Sequence, residues 1–244
     1  MNPILLSTAA SLGIFHTLIG VDHYIPFVAM SKSGGWSYAK TVLVVFICGI
    51  GHVLGSVILG LAGIWLGSQV SFLMGVEDIR GKIATWLLIV FGLIYMLWGI
   101  NKAVKNKPHR HILNNGGEVW HNHNHNHNHN HNNKDHDLDD SIDDHANKTE
   151  VPRSFWPLFV LFVLGPCEPL IPLIMYPAAD TGLIGVVMVA LVFSVCTIAT
   201  MLFGTTIVLK GINLISVKSL ERYAHMLAGF SILACGLAIQ FFGI

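Results

Sequence analysis

The residues able to do chemistry crowd into one apolar stretch. His16, Asp22 and His23 fall within eight positions, with Gly20 between them and Pro26 just after, and residues 4–30 are otherwise largely apolar. Ionisable groups at membrane depth cost at least ~2.5 kcal/mol each and mark a function by default. Imidazole with carboxylate is a ligand set for first-row divalent metals. A straight helix would hold His16 and His23 on one face but roughly 10 Å apart along its axis, whereas metal–nitrogen bonds are about 2 Å long. Closing on one ion therefore requires a break at Gly20 or ligands from other segments. Pro26 favours a break, because it has no N–H for the carbonyl of Asp22. A carbonyl freed at that depth must be buried in protein or line a wet cavity. The alternative is a regular helix whose two histidines bond nearby backbone.

Three more candidates lie elsewhere. His52, with Cys48 one turn earlier, sits among Gly49, Gly51, Gly55 and Gly60, small residues that allow close helix approach. Cys167 and Glu168 fall in a run interrupted by Pro157, Pro166, Pro169, Pro172 and Pro177, which cannot be a regular rod. Pro172 leaves the carbonyl of Glu168 without its helical donor, as Pro26 does for Asp22. A buried carboxylate is almost never unpaired, and no Lys or Arg lies in the apolar runs, so a cation is its economical partner. Thr197, Thr200, Thr205 and Thr206 could line a path, although such hydroxyls commonly bond back to their own helix. His225 opens the last apolar run and reads as interfacial.

The elements that must position these residues are membrane helices. The chain is 53% hydrophobic and 11% charged, against about 25% charged in soluble domains. Apolar runs fall at about 4–30, 42–67, 83–101, 155–177, 183–209 and 223–244, and spanning takes ~20 residues. The expected fold is an all-α integral membrane protein with six transmembrane helices. Loops 31–41, 102–154 and 210–222 hold twelve of the fourteen Lys and Arg, so they belong in the cytoplasm, with both termini outside, in a multi-pass inner-membrane topology. A formal net charge of zero argues against nucleic acid as a partner. Cys48, Cys167, Cys196 and Cys235 all fall in apolar segments, so no extracellular disulfide framework is expected. The N-terminus lacks the basic region of a cleaved signal peptide.

The 102–154 loop is a different material. Residues 121–132 alternate His and Asn, with an acidic run at 135–144 and further histidines at His109, His111, His136 and His145. Such a segment buries too little apolar surface to fold alone, and His-rich tracts read as metal binding. His121, His123, His125, His127, His129 and His131 would capture metal at the cytoplasmic mouth. The flanking regions, 1–101 and 155–244, form two three-helix halves. Gly20-Val21-Asp22-His23-Tyr24-Ile25-Pro26 can be laid over Gly165-Pro166-Cys167-Glu168-Pro169-Leu170-Ile171, and the seven-residue spacing of Gly92 and Gly99 recurs at Gly229 and Gly236. Equivalent helices would run in opposite directions, giving a three-plus-three inverted repeat, an architecture that binds substrate near the midplane on broken helices.

His16-x5-Asp22-His23, Gly51-His52 and Gly165-Pro166-Cys167-Glu168-Pro169 together resemble the nickel/cobalt permease superfamily, in its branch of small six-helix urease-accessory and nickel/cobalt-efflux proteins. The resemblance covers all six helices and the His-rich loop. The larger uptake permeases of that group carry a spacing one residue shorter, His-x4-Asp-His. The resemblance implies Ni²⁺ or Co²⁺ as transported substrate and no permanent cofactor. It also points to a cytoplasmic metallochaperone or nickel-enzyme maturation protein as partner. His16, Asp22 and His23 would ligate the ion, with Glu168, His52 or Cys167 completing the shell, and no enzymatic activity is expected. Three other functions each have a requirement of their own. A sulfite or organic-anion exporter needs cationic groups mid-membrane. A transmembrane thiol–disulfide protein needs a second cysteine where Asp22 stands. A metallochaperone for a nickel enzyme would bind without transport.

Overall fold

The computed structural model describes residues 3–105, 109–112, 118–121, 155–180, 182–214 and 223–242. Its helices are α1 (Pro3–Ile19), α2 (Ile25–Gly34), α3 (Tyr38–Trp65), α4 (Val70–Lys105), α5 (Phe155–Leu164), α6 (Leu170–Asp180), α7 (Gly182–Leu214) and α8 (Ala224–Phe242), with a 3₁₀ turn at Val21–His23. Proline placement decides which run unbroken. No proline occurs within α3, α4, α7 or α8. Around α5 and α6, Pro166 and Pro169 remove the donors that would have reached the carbonyls of Phe162 and Gly165, and the helix stops at Leu164. Pro26 is tolerated because it sits in the first turn of α2.

Among the described residues, α3, α4, α7 and α8 are each long and apolar enough to cross a membrane. The pair α1 and α2, bent by 85°, makes a fifth span if taken as one. The expected span at 155–177 is instead two short helices, of 10 and 11 residues, separated at 165–169. Large apolar side chains face outward along the bundle, among them Phe15, Ile58, Trp86, Ile94 and Phe203, as lipid contact requires. The chain is transmembrane.

One boundary differs from the sequence expectation. The run at 83–101 is part of a helix that begins at Val70, so Glu77, Asp78, Arg80 and Lys82 lie on α4 and not in a connecting loop. Their spacing explains it: Arg80 pairs with Glu77 at i,i+3 and Lys82 with Asp78 at i,i+4, contacts that support a helix. A second difference lies in the 102–154 loop, where β1 (His109–Ile112) and β2 (Glu118–His121) form an antiparallel hairpin with His109 opposite His121. Residues 122–154 lie outside the described residues.

The bundle is joined by pairs of helices. α4 lies along α8, α1 along α7, and α3 along α5. The α4–α8 seam is backbone against backbone: a Cβ at Gly92 would strike the main chain of Leu233, one at Gly99 that of Met226, and one at Gly229 that of Met96. Two apolar clusters fill the interior, one around Phe27, Val44, Leu158, Phe162 and Met201, the other around Val53, Cys167, Leu170, Ile174 and Phe193. Gly229→Val should separate the seam and lower the thermal midpoint of the detergent-solubilised protein by several degrees. Gly211→Ala, where a Cβ meets nothing within 4 Å, should hold or raise it, since alanine in a helix gains about 0.5–1 kcal/mol over glycine. Equal midpoints in the two variants would refute the seam as a stability determinant.

Candidate metal centre

The two helix breaks each present a carbonyl, and each carbonyl holds an imidazole. In the first break, at 20–24, the N–H of His23 donates to the carbonyl of Gly20 at 3.0 Å. The ring Nδ1 of His23 lies 3.0 Å from the same oxygen and 3.1 Å from Oδ1 of Asp22. Gly20 permits this, because a Cβ there would come within 2.5 Å of that Nδ1. In the second break, at 165–169, the carbonyl of Phe162 lies 3.1 Å from Nδ1 of His52, across from α3. That carbonyl accepts the N–H of Gly165 at 3.2 Å, and in place of the N–H that Pro166 lacks it takes a second donor from a histidine on another helix.

These contacts fix the tautomers. Oxygen partners at Nδ1 are acceptors, so Nδ1 carries the proton in both rings and a neutral imidazole keeps its lone pair on Nε2. The Nε2 atoms of His23 and His52 stand 3.3 Å apart. Two lone pairs at that separation repel unless a proton or metal ion sits between them. A third lone pair is close by: Nε2 of His16, at the end of α1, is buried without a hydrogen-bond partner. One nitrogen from each of the three rings lies within 4.8 Å of the others. Nitrogens each about 2 Å from one ion lie roughly 3–4 Å apart, so the trio needs little closure to share a cation.

Of the residues picked out in sequence, His16, His23 and His52 come together. Asp22 stands behind His23, holding its Nδ1, the arrangement by which a carboxylate orients a ligating imidazole and raises its basicity. Glu168 is exposed and lines the same cavity without joining the trio. Cys167 is fully buried in the apolar cluster with Leu170 and Ile174, and Cys48 lies in the other cluster. His121 ends β2, while His123, His125, His127, His129 and His131 lie outside the described residues. The trio opens onto a cavity of about 660 Å³ whose wall also carries Asp78, Lys82 and Glu168.

No family model, curated protein or solved structure matches this chain.

Three residues at the site were not found from the sequence. Phe162 contributes its carbonyl, and its ring packs 4.4 Å from Phe27 beneath the histidines. Arg80 reaches the second break from α4, donating to the carbonyls of Gly165 at 2.8 Å and Leu164 at 3.3 Å. Glu77, 1% exposed, accepts from Arg80 at 3.1 Å. A signal existed: each proline names a carbonyl four residues back that must find another donor, and Pro166 and Pro169 name Phe162 and Gly165.

Gly20→Ala should push the His23 ring off the Gly20 carbonyl. It should weaken binding of Co²⁺ to the detergent-solubilised protein by about 10–100-fold, as loss of a ligand's orienting contacts does. Calorimetric titration against wild type measures this, and equal affinity would mean that the ring position does not matter.

Proposed function

We propose that the chain is a secondary transporter for a divalent transition-metal ion, nickel or cobalt, with His16, His23 and His52 as its intramembrane ligands and Asp22 as the charge beside them. The observation that carries this reading is the convergence of three imidazoles, with the Nε2 atoms of His23 and His52 facing each other, Nε2 of His16 without a partner, and the trio open to one cavity. Imidazole ligands suit Ni²⁺ and Co²⁺, and the resemblance of His16-x5-Asp22-His23 to nickel/cobalt permeases points the same way. Asp78, Asp22 and Glu168 on the cavity wall give an approaching cation a path from solvent to the trio.

A six-span, three-plus-three arrangement fits this function. Both breaks occupy five residues, 20–24 and 165–169, and the helix resumes at Ile25 and Leu170, five places after Gly20 and Gly165. Under that overlay α1 corresponds to α5 and α3 to α7, and the packing of α1 on α7 is then matched by that of α5 on α3. Such a repeat places substrate on broken helices between the halves. With the Lys-rich loops in the cytoplasm, the cavity faces outward, and the His-rich loop would meet the ion, or a metallochaperone, on the other side. The rival readings gain nothing comparable. The Arg80 guanidinium is committed to carbonyls, Ser56 and Glu77, so it is no anion site, and all four cysteines are free thiols, with Cys48 and Cys235 in one apolar cluster and Cys167 in the other.

Metal flux into proteoliposomes, measured for a panel of divalent ions, tests the reading. His23→Ala, His52→Ala and Asp22→Asn should each abolish Ni²⁺ or Co²⁺ flux at near-normal expression. Glu168→Gln should slow flux at low metal and recover at saturation, because Glu168 lines the approach. Wild-type rates in His23→Ala and His52→Ala would sink the assignment, and binding without flux in the wild type would favour the metallochaperone. Deleting residues 122–146 should cost flux mainly at low metal; loss at saturating metal would make the loop part of the route.

A further inference from the structure

The contacts of Arg80 reach past the stability of the bundle. Its guanidinium lies where the broken end of α5 meets α3 and α4. Nε donates to the carbonyl of Leu164, Nη2 to that of Gly165 and to Oγ of Ser56 on α3, and Nη1 to Oε1 of Glu77. The carbonyl of Gly165 lost its helical donor to Pro169. The preceding freed carbonyl, that of Phe162, lost its donor to Pro166 and is the one that holds Nδ1 of His52. The two proline-vacated carbonyls thus take one external donor each, a guanidinium and an imidazole, three residues apart on the same turn. The neighbouring residues are shaped to this contact. A Cβ at Gly55 would stand 3.2 Å from Nη2 of Arg80 and 3.1 Å from the carbonyl of Val163. One at Gly81 would stand 2.8 Å from the ring of Pro166. Glu77 keeps the arginine neutralised at 1% exposure and leaves its own Oε2 buried without a partner.

We infer that Glu77 and Arg80 are a positioning pair for the metal site: by gripping the last carbonyls of α5, Arg80 holds the turn whose Phe162 carbonyl keeps His52 in the tautomer that offers Nε2 to the ion. The inference rests on the metal reading of the trio. Without the grip, the turn keeps only its backbone bonds, from the N–H of Gly165 to the carbonyls of Leu161 and Phe162; the Phe162 carbonyl shifts from Nδ1, and His52 can carry its proton on either nitrogen. The affinity of the whole site then falls although no ligand has been removed. Lysine cannot replace the arginine, since one ammonium lacks the planar fork that reaches two carbonyls and a carboxylate at once.

The test uses the full chain in detergent, each variant beside a matched chain lacking residues 122–146 so that loop histidines are subtracted, and Co²⁺ as probe, reading affinity by calorimetry and the number of imidazole ligands by X-ray absorption. Removing one partner of a buried pair strands the other charge and can unfold the protein, so the main variant is the neutral double substitution Glu77→Gln with Arg80→Met. It should keep a thermal midpoint close to wild type, bind Co²⁺ at least about tenfold more weakly, and show two imidazoles where the wild type shows three. Gly55→Ala, which presses on the same contact without altering charge, should weaken Co²⁺ binding in the same direction. A double variant that folds and binds Co²⁺ with wild-type affinity and three imidazoles overturns the inference. Should it fail to fold, wild-type affinity in Gly55→Ala overturns it instead. If the wild type itself binds Co²⁺ without imidazole, the metal reading falls first and takes this inference with it.

Discussion

A helix that breaks inside a membrane must find new partners for the carbonyls it frees, because hydrocarbon supplies none. That constraint organises the centre of this molecule. Pro166 and Pro169 free the carbonyls of Phe162 and Gly165, and the vacancies are filled from outside by His52 and Arg80. In the first break, the carbonyl of Gly20 is met by the main chain and the ring of the nearby His23. Satisfying backbone and presenting ligands are therefore one act. An imidazole that donates from Nδ1 to a carbonyl turns its Nε2 the other way, and in both breaks that direction is the space next to His16.

The same logic explains why small residues sit where they do. Gly20 leaves room for the His23 ring, and Gly55 for the guanidinium of Arg80 beside the carbonyl of Val163. Along α4 and α8, the glycines at 92, 99 and 229 bring main chains into direct contact, and His225 of α8 adds polar contacts to Tyr95 and Lys102 of α4 at 2.9 Å each. Where helices carry the site, the contacts are polar and directional. Where they only hold the bundle together, close backbone and apolar packing is joined by single polar pairs such as Ser31 with Thr41 and Ser33 with Tyr95.

Much of this was legible in the chain. His16, Asp22 and His23 around Gly20, followed by Pro26, called for a break at Gly20 or for ligands from other segments; the structure has both, a break at 20–24 and His52 approaching from α3. The cluster of prolines announced the second break. Its side chains were not legible, because an overlay by residue type fixes where a chain stops being helical but not which way Cys167 and Glu168 turn. One enters an apolar cluster and the other stays exposed. Arg80 and Glu77 were hidden for a different reason. Four charges in six positions look like a loop between spans, and only the pairing of opposite signs one turn apart betrays the helix that carries them.

For the transporter proposed above, the cavity has an electrical consequence. Both Asp78 and Leu88 of α4 line it, and ten residues of helix rise about 15 Å, half of a hydrocarbon core of about 30 Å. Solvent admitted that far brings its high dielectric with it, so a membrane voltage drops mainly across the remaining apolar plug built around Phe27, Met30, Val44, Leu158 and Met201. A doubly charged ion crossing a full potential of 100 mV exchanges about 4.6 kcal/mol with the field, twice the value for one charge. In that transporter nearly all of the work would be concentrated on one step, between the histidines and the far face, and arrival at the histidines from the cavity would be almost insensitive to voltage.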